Sequence, residues 1–255
     1  MVSLFSYRGL IKNLVLKDLK LKYRDSVLGF VWSLANPLLL IIVYSFVFSH
    51  MLRGGPTNFA YFLMVGILPW NFFAQSLMMS TGSILDNGSL IRKVALPLQV
   101  FPIATVLFNL AQLMLALAVF IPMAFLYFQV PVAWSWLNFL PILVLQILFT
   151  LGLCFIVSTA TVFYRDMRHF TEILLLLLFW LTPIIYDIKI APASLKAVLY
   201  LNPLSCFILA YQDTLYHNLF ISPGQFTTMI LLAFISLGAG YLLFMSCRVR
   251  FPEEV

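Results

Sequence analysis

Apolar residues in this chain come in long unbroken runs. Segments 26–52, 54–85, 94–164, 173–186, 197–212 and 214–247 contain no Asp, Glu, Lys or Arg. A helix crossing the hydrocarbon layer needs about 20 apolar residues. The first, second and last runs each hold one crossing. The third, at 71 residues, holds two, with a break at "FQVPVAWSW" (128–136). The pattern predicts spans over 28–51, 59–80, 101–127, 138–162, 169–187 and 225–247. The fifth has Glu172 near its start and a short charge-free part. Between the last two, 188–224 carries two apolar pieces broken by Pro192, by Asn202 with Pro203, and by Pro223. The piece 203–215 is too short to cross and reads as re-entrant or interfacial. The period-two alternation of a membrane barrel is missing. The expected fold is an all-α polytopic membrane protein with six transmembrane helices. It is read as one domain: an interfacial helix over 1–25, a core over 26–247 and a tail over 248–255.

Composition excludes a soluble domain. The chain is 63% hydrophobic and 9% charged, with a mean hydropathy of +1.02, and a soluble fold needs more polar surface than that. The cations give the orientation. Arg8, Lys12, Lys17, Lys20, Lys22, Arg24, Arg92, Lys93, Arg165, Arg168, Arg248 and Arg250 fall on one side of the predicted spans, and Arg53, Lys189 and Lys196 on the other. Twelve against three is a strong positive-inside bias and predicts both termini in the cytoplasm. Residues 1–25 are too charged for the apolar core of a signal peptide, and nothing there resembles a cleavage site. Cys154, Cys206 and Cys247 are odd in number and far apart, so they read as small packing residues rather than a disulfide framework or a metal site.

Over 4–21 the apolar pattern changes to helical periodicity. Leu4, Tyr7, Leu10, Ile11, Leu14 and Leu21 share one arc, and Arg8, Lys12, Lys17, Lys20 and Arg24 occupy mostly the rest. An amphipathic helix in the cytoplasmic interface is expected, with its cations toward water and anionic headgroups. Two roles are open for it: a membrane anchor, or a lever touching a cytoplasmic partner.

Residues for chemistry inside the membrane are scarce. His50, His169 and His217 lie near span ends or in loops, and the spans contain neither a carboxylate pair nor an H-E-x-x-H sequence. Matching broken-helix halves, which mark many secondary transporters, are also missing. Ion-coupled transport and membrane hydrolysis are therefore poorly supported. A phosphate-cradling loop needs Gly followed by Lys, and none of the 11 glycines is followed by Lys. If ATP is used, a separate polypeptide must bind it. The polar features that remain are cytoplasmic loops. In "STGSILDNGSLIRKVALPLQVFP" (80–102), Asn87 and Ser89 are positioned to cap a short helix over 89–96, ended by Pro97. It carries Ser89, Leu90, Ile91, Arg92 and Lys93. The loop "FYRDMRHFTE" (163–172) packs Arg165, Asp166, Arg168, His169 and Glu172 into a tight turn. Each loop reads either as an interfacial anchor or as a contact with a partner.

Four features in this order carry a family resemblance: the basic amphipathic N-terminal helix, "YRDSVLGFVWSLANPL" (23–38), the short helix after the second span, and "FYRDMRH" (163–169), followed by short helices before the last span. The chain resembles the permease subunits of type-2 ABC exporters over essentially its whole length. Within them it is most similar to the polysaccharide and lipopolysaccharide O-antigen export group, which includes teichoic acid exporters. The resemblance implies six spans, a homodimer, and two copies of a cytoplasmic ABC ATPase that binds the ATP and Mg; this chain itself would be no enzyme and would need no cofactor. It implies a polyprenyl-pyrophosphate-linked glycan as cargo and the bacterial inner membrane as location. Segments 4–24 and 89–96 would contact the ATPase, as would 165–169, and the short helices over 190–216 would form an outer gate.

Two further expectations follow. Lys17, Lys20, Lys22 and Arg24 would attract headgroups or the cargo's pyrophosphate. With aromatic content at 16%, rings are available to stack on sugar C–H faces. Trp32, Tyr44, Phe46 and Phe48 in the first span, Trp70 and Phe73 in the second, and Phe179, Trp180 and Tyr186 in the fifth are the candidates, set against lipid-facing or interfacial placement. Exporters of a drug or plain lipid, a membrane enzyme or scaffold of glycan assembly, and a purely structural assembly partner are the competing readings.

Overall fold

The computed structural model describes residues 7–23, 58–93, 96–131, 133–190 and 192–254, with isolated helical positions at 35, 38–39, 42–43 and 46. Most of the predicted first span lies outside the described residues. The described helices are α1 (Arg8–Tyr23), α2 (Phe59–Gly82), α3 (Gly88–Lys93), α4 (Val100–Leu126), α5 (Phe139–Phe163), α6 (Met167–Trp180), α7 (Ala193–Leu201), α8 (Pro203–Tyr211), α9 (Pro223–Cys247) and α10 (Phe251–Glu254). No strand occurs among the described residues. Among the described residues, four helices are long and apolar enough to cross a membrane: α2, α4, α5 with its preceding turn, and α9. A fifth candidate is the bent pair formed by α7 and by α8 with its continuation, which meet at 97°.

Aromatic contacts give the direction of each long helix. Tyr61 at the start of α2 stacks on Phe120 near the end of α4 and lies against Phe128 and Tyr216. Ser135, just before α5, donates to the Thr214 carbonyl at 2.9 Å. These residues define one end of the bundle. The other end gathers Leu14, Ile84, Ile91, Val100, Phe101, Phe155, Val162, Phe244 and Phe251 in a single apolar cluster. So α2, α5 and α9 run toward the second end, and α4 runs away from it. α5 and α9 are parallel and form the most extensive helix pairing. Gly152 and Gly240 let their backbones touch: a Cβ on Gly240 would overlap the Gly152 carbonyl. Lipid provides little hydrophobic drive between helices, so close approach of small residues supplies much of the contact energy.

Local chemistry sets the helix starts. Asn202 caps α8 by accepting from Leu204 N at 3.0 Å, with Pro203 in the first turn. Ser222 caps α9 by accepting from Gln225 N at 3.2 Å, again with proline, Pro223, in the first turn. The break at 128–136 contains Gln129 with a left-handed backbone, φ 52°.

The fifth predicted span differs from expectation. Instead of a continuous helix over 169–187, α6 stops at Trp180. Fourteen residues rise about 21 Å, short of the roughly 30 Å hydrocarbon thickness. Pro183 is the local cause, because it lacks an N–H and disfavours helix at Thr182. Side chains satisfy the carbonyls that the helix would have used. Tyr186 Oη donates to Trp180 O at 3.0 Å, Asn202 Nδ2 to Leu181 O at 3.1 Å, and Gln212 Nε2 to Pro183 O at 2.7 Å. Irregular backbone at membrane depth is tolerated where protein supplies such partners. The short second-loop helix also differs: it begins at Gly88, after a 3-10 turn at Leu85–Asn87, and is described to Lys93, with 94 and 95 outside the described residues and Leu96 not helical. Asn87 does not cap it; Asn87 Nδ2 donates back to Ser83 O at 2.9 Å.

Candidate functional site at the basic end of the bundle

Helix α1 is amphipathic as its sequence predicts. Leu14 is buried, Tyr7, Leu10 and Ile11 are half-buried, and Arg8, Lys12, Lys17, Lys20 and Lys22 are exposed. Leu4 and Arg24 lie outside the described residues. The helix packs mainly along α4. Lys17 pairs with Asp18 at 3.7 Å and reaches Asn87 Oδ1 at 3.4 Å, which ties α1 to the second loop. Partial burial raises the Asp18 pKa, against the opposing pull of Lys17. Lys22 hydrogen-bonds the Gln112 side-chain carbonyl and sits 5.7 Å from the Phe108 ring centre. Desolvation there lowers the Lys22 pKa. Of the four cations expected to attract headgroups, Lys17 and Lys22 thus have protein partners, and Lys20 points to the exposed side.

In α3 the side chains divide by face. Ile91 is buried in the apolar cluster and Leu90 packs at its edge, while Ser89, Arg92 and Lys93 are exposed. The described part of α3 thus presents two cations on the face opposite its apolar contacts. Arg165, Asp166, Arg168 and His169, around the start of α6, are also exposed. His169 Nδ1 lies 4.0 Å from Glu172 one turn on, with both side chains well exposed; an exposed pair of this kind adds little stability. The apolar cluster connects these segments. It includes Leu14 of α1, Ile91 of α3, Val162 near the end of α5, Phe244 of α9 and Phe251 of α10. Sequence reasoning missed Phe251, because the tail reads as polar. A lone aromatic between Arg250 and two glutamates was the available signal.

The predicted channel aromatics do not share one environment. Trp32, Tyr44 and Phe48 lie outside the described residues, and Phe46 is exposed. Trp70 and Phe73 are buried inside the protomer. Trp70 packs edge-on against Phe179 at 5.5 Å between ring centres, and Phe73 stacks on Phe149 at 6.0 Å. Trp180 abuts Phe179 at 5.7 Å and is 57% exposed. Tyr186 is half-buried, and its hydroxyl is held by the Trp180 carbonyl. The rings of α2 and α6 therefore form one continuous aromatic layer, open to the surface at Trp180.

A second feature missed in the sequence is a buried polar hub. Gln146 of α5 donates to Pro69 O of α2 at 3.0 Å and accepts from the Tyr211 hydroxyl at 2.8 Å. It joins α2, α5 and α8 at Pro69, which lies inside the continuous helix α2. A polar side chain in a charge-free span was the available signal. Among the described residues, no group of His, Cys, Asp and Glu is placed to hold a metal ion.

Comparison with known proteins agrees with this architecture. The family model described as "ABC-2 type transporter" matches residues 9–216. An "O-antigen export system permease protein RfbA" of Myxococcus xanthus is 34% identical over 255 residues, covering 99% of this chain and 98% of that protein. A protein of the same name from Klebsiella pneumoniae is 33% identical over 238 residues, covering 93% and 91%. With apolar helices built to cross a membrane and a match that runs from α1 to the far end of α8, this multi-pass membrane chain belongs to the ABC-2 type transporter family.

Proposed function

We propose that this chain is the transmembrane subunit of an ATP-driven exporter. It moves a polyprenyl-pyrophosphate-linked, O-antigen-like polysaccharide out of the cytoplasm across the bacterial inner membrane. It works as a homodimer with two copies of a separate ABC ATPase, which binds ATP and Mg. Both termini are cytoplasmic, and 28–51, most of which lies outside the described residues, is read as a further crossing. The names of the similar proteins support the cargo class.

One observation supports the coupling role most directly. The exposed cations Arg92 and Lys93 sit on a helix whose other face is anchored in the cluster shared by α1, α5, α9 and α10. Force applied to α3 from outside is delivered to spanning helices through packed side chains. In the proposed cycle, ATP binding closes the ATPase dimer, α3 and α1 pass that motion to the spans, and the seam between protomers opens. The glycan advances along an uncharged aromatic path that Trp180 and Phe46 line, and exposed Lys20 attracts the pyrophosphate.

The test is affinity purification from native membranes. Wild type is expected to bring down a nucleotide-binding ATPase in about equal amount, and Arg92→Glu with Lys93→Glu to lose it and to lose export. Retention of both by the double variant would remove the second loop from the coupling role.

A further inference from the structure

Phe251 lies near the end of a polar tail, yet its side chain is 0% exposed. Its ring lies 6.0 Å from Phe163 at the end of α5 and 5.2 Å, edge-on, from Phe244 of α9. Phe244 in turn lies 5.1 Å from Phe155 of α5. The short helix α10 that carries Phe251 packs against α3 as well as α5. The chain folds back to achieve this: Arg250 N donates to Cys247 O at 3.0 Å and Phe251 N to Arg248 O at 3.4 Å. The following residues, Pro252, Glu253 and Glu254, return to solvent. One aromatic side chain thus packs against the end of α5 that leads into the Arg165 loop and against the last span, on a short helix that itself packs on α3, and it shares an apolar cluster with Ile91.

Packed side chains at native density transmit displacement instead of absorbing it. Within Gly88–Lys93, α3 meets the apolar cluster through buried Ile91, with Leu90 packed at its edge, while Arg92 and Lys93 face outward. Without a support behind it, such a helix would yield to a push from a partner. We propose that Phe251 is a positioning residue that locks α3 to the ends of α5 and α9, so that these segments move as one block when the ATPase closes. This rests on the coupling role assigned to α3 above.

The first test compares Phe251→Ala with Phe251→Leu in the full complex with its ATPase. The alanine variant is expected to assemble and to hydrolyse ATP at the wild-type rate, while surface glycan per assembled complex falls about fivefold. Leucine, which refills most of the apolar volume, is expected to restore it. If glycan falls only in proportion to the complex present in the membrane, Phe251 is structural and the proposal is overturned.

A second test does not depend on the alanine variant folding. Ile91→Cys and Phe251→Cys, in a background with the three native cysteines replaced, are bridged in membranes by a short bis-thiol reagent. The unbridged double variant is expected to export poorly, as the alanine variant does, and bridging to raise export again. Failure to bridge, or export that does not rise on bridging, overturns the proposal. The bridging yield is read without reference to the ATPase. It therefore stands apart from the charge-reversal test at Arg92 and Lys93, whose failure would sink the coupling role itself.

Discussion

Helices α7 and α8 are neighbours, equal in length at nine residues each, and both rich in apolar side chains. Their environments are opposite. In α8, Leu204, Ser205, Phe207, Ile208, Ala210 and Tyr211 are all buried. In α7, Leu199 is 0% exposed, but Leu195, Val198, Tyr200 and Leu201 are all exposed, Leu201 at 82%. Hydropathy does not separate them, because lipid and protein interior are equally apolar. The difference lies in rings and hydrogen bonds. Phe207 stacks on Phe149 at 5.1 Å, Phe139 lies 5.7 Å from Tyr211, and Tyr211 bonds Gln146. Among the described residues, the side-chain hydrogen bond of α7 runs from Lys196 Nζ to the Lys189 carbonyl at 3.1 Å. So of the two short helices expected to form an outer gate, α8 belongs to the core, and α7 touches it through Leu199 while its other large apolar side chains face outward.

Four substitutions test this contrast. The largest effect is expected from Phe207→Ala, at about 3–5 kcal/mol of stability, read as a lowered midpoint of thermal unfolding in detergent. Asn202→Ala comes next. It removes the cap of α8 and the bonds to Leu181 O and to Thr182 Oγ1 (2.8 Å), for about 2 kcal/mol. Tyr211→Phe is expected to cost about 1 kcal/mol, in line with buried side-chain bonds in membrane proteins. Leu201→Ala should change stability by less than about 0.5 kcal/mol. If Leu201→Ala destabilised as much as Phe207→Ala, α7 would be covered in the assembled protein, and a second copy would be the first candidate to cover it.

The same contrast explains what could be read in advance. The boundaries of α2, α4, α5 and α9 lie within two residues of the predicted spans, because unbroken apolar runs of the right length leave few alternatives. The fifth span was misread for the reason that hides α8. Pro183 signals a helix end, but the chain can leave the helix there only because Asn202 and Gln212 arrive from later segments to take the carbonyls of Leu181 and Pro183. Contacts across 20 or 30 residues leave no local pattern. At the candidate site, the cations of α3 and of the Arg165 loop were legible as charge in a cytoplasmic position. The support behind them was not, since Phe251 shows its role only once α5 and α9 stand side by side.

The contact between Gly152 and Gly240 bears on how the protein is made. α9 leaves the ribosome after α5 is already in the bilayer, and it must dock on that helix instead of on its nearest neighbour in sequence. Mutual backbone approach is a shape few other helix faces offer, so the two glycines act as a matching address for the last-inserted span. A side chain at either position would collide with facing backbone, at Gly152 with Ser236 and Leu237 and at Gly240 with Gly152. The expected sign of that collision is low abundance of newly made protein, read before any defect in export.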